Sequence, residues 1–229
     1  MSLKVPFWKK LEIEGMALDL LHKYESWKGV RLVPPIDIDD IVEGYLKIDL
    51  QLFDLKELLS MPDVLGATWF EDKVIRIDSS LEQKEGRLSF TMAHEIGHWW
   101  MHRPIYEMDK VTLPLFAYEE HMRPTPAVVC RSGKKKDPAE WQADQFAAML
   151  LMPSSMVRAS ISTIQEHGLF PIKDLEKNRL NVAENYNLRT VARQIIQFGF
   201  SNVSIESMCY RLVDLDLVID SKVQQGSLY

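Results

Sequence analysis

The sequence predicts an α+β fold in which a small antiparallel sheet packs against two polar-faced helices and is followed by a helical tail. Three short apolar runs fall together between residues 46 and 77. An uninterrupted helical periodicity follows from about Gln83 to His102, and a second runs from Pro138 to about Met152. From Lys173 to Ile219 the periodicity is helical, with breaks at Asn185–Asn187 and Gly199–Asn202. At 229 residues the chain can bury a substantial core without disulfides.

Taken in order, Leu11, Met16, Leu18, Leu20 and Leu21 suit an amphipathic helix from Lys9 to about Lys28, closed by Gly29. Pro34-Pro35 forces an extended turn. Ile36, Ile38, Ile41, Val42 and Tyr45 then recur at helical spacing behind aspartates that can cap a short helix. Leu46–Leu52 alternates, Val64–Phe70 contains Gly66, and Lys73–Ile77 follows Glu71-Asp72, a turn pair that suggests a hairpin. In the long helix Leu88, Met92, Ile96 and Trp99 form one apolar stripe, and Pro104 is expected to stop it. Four prolines lie between Arg103 and Asp137, so that stretch reads as mostly irregular, a lid or substrate-docking loop joining two helices. Pro138 opens the next helix and Pro153 ends it, with a further helix starting there.

Composition excludes several classes. Lys and Arg total 27 against 33 Asp and Glu, a net charge of -6 that argues against direct DNA binding as the main task. No stretch approaches the roughly 18–20 apolar residues of a membrane span, and Met1–Lys10 carries no export signal, so a cytoplasmic protein is expected. Cys130 and Cys209 stand far apart and read as buried or incidental thiols.

The chemistry concentrates in His94-Glu95-Ile96-Gly97-His98, the pattern H-E-x-x-H inside the long helix. Histidines at i and i+4 lie about 6 Å apart on one face, so both imidazoles can converge on a zinc ion while the glutamate reaches its water. The alternative is a solvated helix face. A catalytic zinc needs a third ligand, and Glu140 and Asp144 lie one turn apart on the polar face of the second helix. Spacing alone leaves two readings open there. Glu140 can ligate while Asp144 accepts the other N–H of a ligating histidine, or Glu140 complements the helix dipole and Asp144 is solvated.

Phe90-Thr-Met-Ala-His-Glu-Ile-Gly-His98 followed by Glu140-x-x-Ala-Asp-x-Phe-Ala-Ala-x-Leu-Leu-Met-Pro153 resembles the ImmA/IrrE family of gluzincin-like metallopeptidases. Pro35-Ile-Asp-Ile, Gly66-Ala-Thr-Trp and Val74-Ile-Arg-Ile-Asp78 upstream also fit, and the resemblance covers about residues 9–160. It implies a zincin-like domain over residues 1–160, with 103–137 as an insertion, and a helical, helix-turn-helix-like extension over 161–229. It also implies His94, His98 and Glu140 as Zn2+ ligands, Glu95 as general base and Asp144 as the group that orients a ligand. The implied substrate is a protein, commonly a helix-turn-helix repressor or antitoxin-like regulator cleaved in stress or mobile-element control.

Other features read more plainly. His102 continues the His94/His98 face by one turn and is either an oxyanion or substrate group or a structural histidine. Trp99 and Trp100 read as packing, and Lys134–Lys136 as a solvated loop. Phe198–Leu217 resembles the family's downstream helix-turn-helix-like element, but its final helix carries a single arginine, which favours packing over DNA reading. The competing function is a non-catalytic regulatory protein with a structural or vestigial zinc site; an intact Glu95 argues against it, since a structural site needs no base.

Overall fold

The computed structural model describes residues 4–112, 126–131, 137–165, 169–175 and 181–221. The described residues divide into two compact units. The first takes the chain up to Val30 together with Asp37–Leu150, and the second takes Arg31–Ile36 and the chain from Leu151 onward.

In the first unit, helix α1 (Lys10–Lys28) ends where Gly29 adopts φ 70°, a left-handed cap that glycine takes without a Cβ penalty. Its buried stripe is Ile13, Ala17, Leu20, Leu21 and Tyr24, whereas Leu11, expected on that stripe, is 80% exposed. The small Ala17 and the amphipathic Tyr24 carry the four-residue spacing that a leucine count overlooks. A wide π-type turn (Asp40–Tyr45) buries Ile41 and Val42 and leads into strand β1 (Asp49–Phe53). A short helix α2 (Leu55–Leu59) follows, capped by the Asp54 carboxylate on the Glu57 N–H, and precedes β2 (Val64–Trp69) and β3 (Val74–Asp78).

The sheet has four strands in the order β1-β3-β2-β4, where β4 is Val128–Arg131. It is mixed rather than wholly antiparallel. β2 pairs antiparallel with both β3 and β4, but β1 runs parallel to β3: the chain passes through α2 to β2 on the far side of β3, and β2 brings it back before β3 begins. Side chains alternate along β2. Ala67 and Trp69 join Leu55 and Val64 in a buried cluster under α2, while Gly66 and Thr68 face helix α3 (Glu85–Gly97).

The helix of the H-E-x-x-H motif does not stop at Pro104. After Gly97 it widens into a π-type turn (His98–His102), in which the Arg103 N–H reaches back to the His98 carbonyl, and resumes as α4 (Arg103–Thr112), so Pro104 follows directly on a change of hydrogen-bond register. Residues 91–99 are all buried, so the motif occupies no solvated face. The stretch from Arg103 to Asp137, expected to be irregular, contributes α4 and β4; the remainder of it, including Lys134–Lys136, lies outside the described residues. Helix α5 (Pro138–Leu151) closes the unit.

The second unit contains α6 (Ser154–Ile164), α7 (Tyr186–Ile196) and α8 (Ile205–Asp214). It also contains a parallel pair, β5 (Phe170–Ile172) with β6 (Val218–Asp220), so the tail is not purely helical. Asn185 and Ser204 cap α7 and α8 with their side-chain oxygens. The single arginine of α8, Arg211, is buried and donates to the Met152 carbonyl at 3.0 Å. Among the described residues no single helix is long and apolar enough to cross a membrane.

Candidate metal centre

Two glycines let three elements approach closely. A Cβ on Gly97 would stand 3.2 Å from the Ala143 Cα, so its absence brings α3 against α5. A Cβ on Gly66 would stand 2.6 Å from Glu95 Oε1 and 2.9 Å from Thr91 Cγ2, so its absence lets β2 lie against the motif helix. The sequence places His94 and His98 on one helix and Glu140 on another; these small residues let the two sets meet.

His94, His98 and Glu140 offer ligand atoms that all lie within 4.8 Å of one another. His94 Nε2 is 2.9 Å from His98 Nε2 and 3.4 Å from Glu140 Oε2, and His98 Nε2 is 3.2 Å from Glu140 Oε1. Tetrahedral zinc with bonds near 2.0–2.1 Å holds its ligand atoms about 3.3 Å apart, so the donor set fits that ion in type and spacing. The charges agree with the spacing. Burial alone would raise the Glu140 carboxyl, but the His94 and His98 imidazoles beside it hold it well below the usual carboxylate range. Burial alone would lower His94, yet Cys130, Asp144 and Glu140 around it push it well above the usual imidazole range. The cluster stabilises positive charge at its centre, and a cation bound there would displace the His94 proton.

Behind the donors, Asp144 Oδ1 lies 3.0 Å from His94 Nδ1 and, as a carboxylate, accepts its N–H. His98 Nδ1 faces His102 Nδ1 at 2.8 Å, and His102 Nε2 meets Gln142 Oε1 at 2.9 Å. His102 is 0% exposed and stacks on Trp8 with the rings 3° from parallel; both its nitrogens bond within the fold. Burial, reinforced by His98, pushes its imidazole down to about 3.

Glu95 is fully buried. Its Oε2 accepts the Thr68 hydroxyl at 2.6 Å, while Oε1 has no hydrogen-bond partner among the described residues. Burial pushes the carboxyl up to about 7 against the opposing pull of His94 and Thr68, which suits proton transfer near neutrality. Cys130, on β4, is buried with its sulfur within 4.8 Å of a His94 ring nitrogen, and its thiol is pushed up by burial. Trp99 packs edge-on against Phe70 and lies under the Arg103 guanidinium at 4.4 Å, while Lys23 sits 5.2 Å from the Trp100 ring.

The structure brings His94, Glu95, His98, Glu140 and Asp144 to one place. Thr68, Cys130 and Pro6 join them from other parts of the chain, and Gln142 from between the two acids of α5; no spacing marks any of the four.

The family model of the IrrE N-terminal-like domain, Peptidase M78, matches residues 47–192. The chain belongs to this family. The match spans every residue of the centre except Pro6 and Trp8, and membership of M78 points to a metallopeptidase-like function. No curated protein matches the chain.

Proposed function

We propose that this M78-family chain is a zinc-dependent peptidase that hydrolyses a peptide bond in a protein substrate, with His94, His98 and Glu140 as ligands and Glu95 as general base. The observation that carries the reading is Glu95: a fully buried carboxyl beside the three-donor set, anchored by Thr68 through Oε2 and, among the described residues, unpartnered at Oε1. A site that only held metal for stability would have no use for it.

Bound zinc supplies a Lewis acid, which brings the pKa of a water toward about 7 and polarises the scissile carbonyl. The protein does the rest. Asp144 takes the His94 Nδ1–H and leaves Nε2 to face the donor set. Thr68 holds one Glu95 oxygen, so that Oε1 is the atom that accepts a proton from the attacking water and returns it to the leaving amine. The family resemblance supports a helix-turn-helix repressor or antitoxin-like regulator as the substrate.

Glu95→Gln tests the reading, because it keeps size and hydrogen-bonding reach but cannot take a proton at neutral pH. The variant is expected to retain zinc and substrate binding and to lose cleavage by about 100- to 10,000-fold. The substrate assay mixes the protein and zinc with a regulator encoded beside it. Cleavage by Glu95→Gln at the wild-type rate would overturn the base assignment, and a regulator that is bound but never cut would favour the non-catalytic alternative.

A further inference from the structure

The line of contacts behind His98 has a direction, which can be read from its far end. The Pro6 carbonyl can only accept, so the Gln142 amide must donate to it across 2.7 Å. That leaves Gln142 Oε1, an acceptor, facing His102 Nε2 at 2.9 Å, and His102 therefore carries its hydrogen on Nε2. A neutral imidazole has one N–H, so His102 Nδ1 is a lone pair. The contact of 2.8 Å to His98 Nδ1 is then a hydrogen bond only if His98 donates, which leaves the His98 Nε2 lone pair pointing at His94 Nε2 and Glu140 Oε1.

We infer that the Pro6 carbonyl, acting through Gln142 and His102, sets His98 in the Nδ1–H tautomer, so that its Nε2 is the ligand atom. His102 and Gln142 are positioning residues in this scheme, and the anchor lies in the N-terminal segment, outside the matched residues 47–192. The two ligating histidines are thus oriented differently: His94 by the carboxylate of Asp144, His98 by a neutral relay that ends on backbone. Reversing the relay anywhere would place a hydrogen on His98 Nε2 and remove the lone pair from the donor set. The consequence for metal binding rests on the zinc reading above, whereas the position of the proton does not.

Nitrogen-15 NMR of the zinc-free wild-type protein reads the proton directly. A protonated-type Nδ1 and a pyridine-type Nε2 on His98 are expected, and the opposite pattern would overturn the inference whatever the zinc result. A crossed pair of variants then separates positioning from packing, read as zinc affinity by chelator competition. His102→Asn keeps an acceptor oxygen near the Nδ1 position but loses the ring on Trp8; His102→Phe keeps the ring and loses the acceptor. Affinity is expected to stay within about threefold for His102→Asn and to fall about 10- to 100-fold for His102→Phe. Wild-type affinity in His102→Phe, or equal loss in both, would overturn the relay. If wild-type protein bound no zinc, the metal reading would fail and the NMR pattern alone would decide the tautomer.

Discussion

At the scale of single residues, the two carboxylates of α5 carry different expectations. Glu140 touches both histidine Nε2 atoms, so Glu140→Ala should abolish most zinc binding, measured as metal equivalents in protein purified without chelator. Asp144 bonds the far nitrogen of His94. Asp144→Ala should therefore retain a site but weaken zinc by about 10- to 100-fold, with Asp144→Asn closer to wild type because its amide oxygen still accepts the N–H. A third residue-scale prediction lies away from the centre. Burial on its own would raise Asp78, but Lys56 at 2.8 Å and the Ser80 hydroxyl and N–H outweigh it and hold the carboxyl below its ordinary value of 3.8. A carboxyl depressed in the folded state contributes stability that is full above its unfolded pKa and is lost as pH falls through the folded one. Lys56→Met should thus cost about 1–2 kcal/mol at pH 7, and the difference from wild type should fade below about pH 4, as followed by urea unfolding across that range.

At the scale of elements, the centre depends on how closely β2, α3 and α5 approach. The side chain of Gly66→Ala would collide with Glu95 and Thr91, both buried in the motif helix. Overpacking of this kind costs about 1–3 kcal/mol, and here the displaced atom is the proposed base, so cleavage should fall further than zinc affinity. In Gly97→Ala the 3.2 Å contact falls on backbone of α5, which carries Glu140 and Asp144; zinc affinity should fall together with stability, measured by chelator competition and thermal unfolding. Equal zinc affinity in wild type and Gly97→Ala would show that the helices separate without disturbing the ligands. Periodicity located both helices, but it did not foresee that the first would run on through Pro104. A π-type turn resets the hydrogen-bond register there, and that adjustment leaves no trace in residue type. The parallel placement of β1 was equally illegible, since a strand's own pattern does not say which neighbour it will join.

For the whole molecule, a ligand that binds only the folded state stabilises it by mass action. Zinc at about one hundred times its dissociation constant should add about 2.7 kcal/mol to the unfolding free energy. The corresponding shift in thermal midpoint should appear in wild type and vanish in Glu140→Ala. A shift of the same size in both would mean that the stabilising ion binds elsewhere.

The sequence by itself brought out the candidate donors: H-E-x-x-H is a local spacing that a helix converts into a common face, and the pair Glu140 and Asp144 lies one turn apart on a second helix, with the family resemblance choosing between their two readings. It also located β1, β2 and β3, three of the six described strands, whose apolar patterns are equally local. Only the tertiary structure decided what surrounds those ligands: the Thr68 hydroxyl on Glu95, the Cys130 thiol at His94, and the relay from Pro6 through Gln142 and His102 to His98. These contacts join residues as far apart as 6 and 142. Hydrogen-bond polarity passes through space from donor to acceptor, and nothing in the order of residues along the chain encodes which distant carbonyl will end the line.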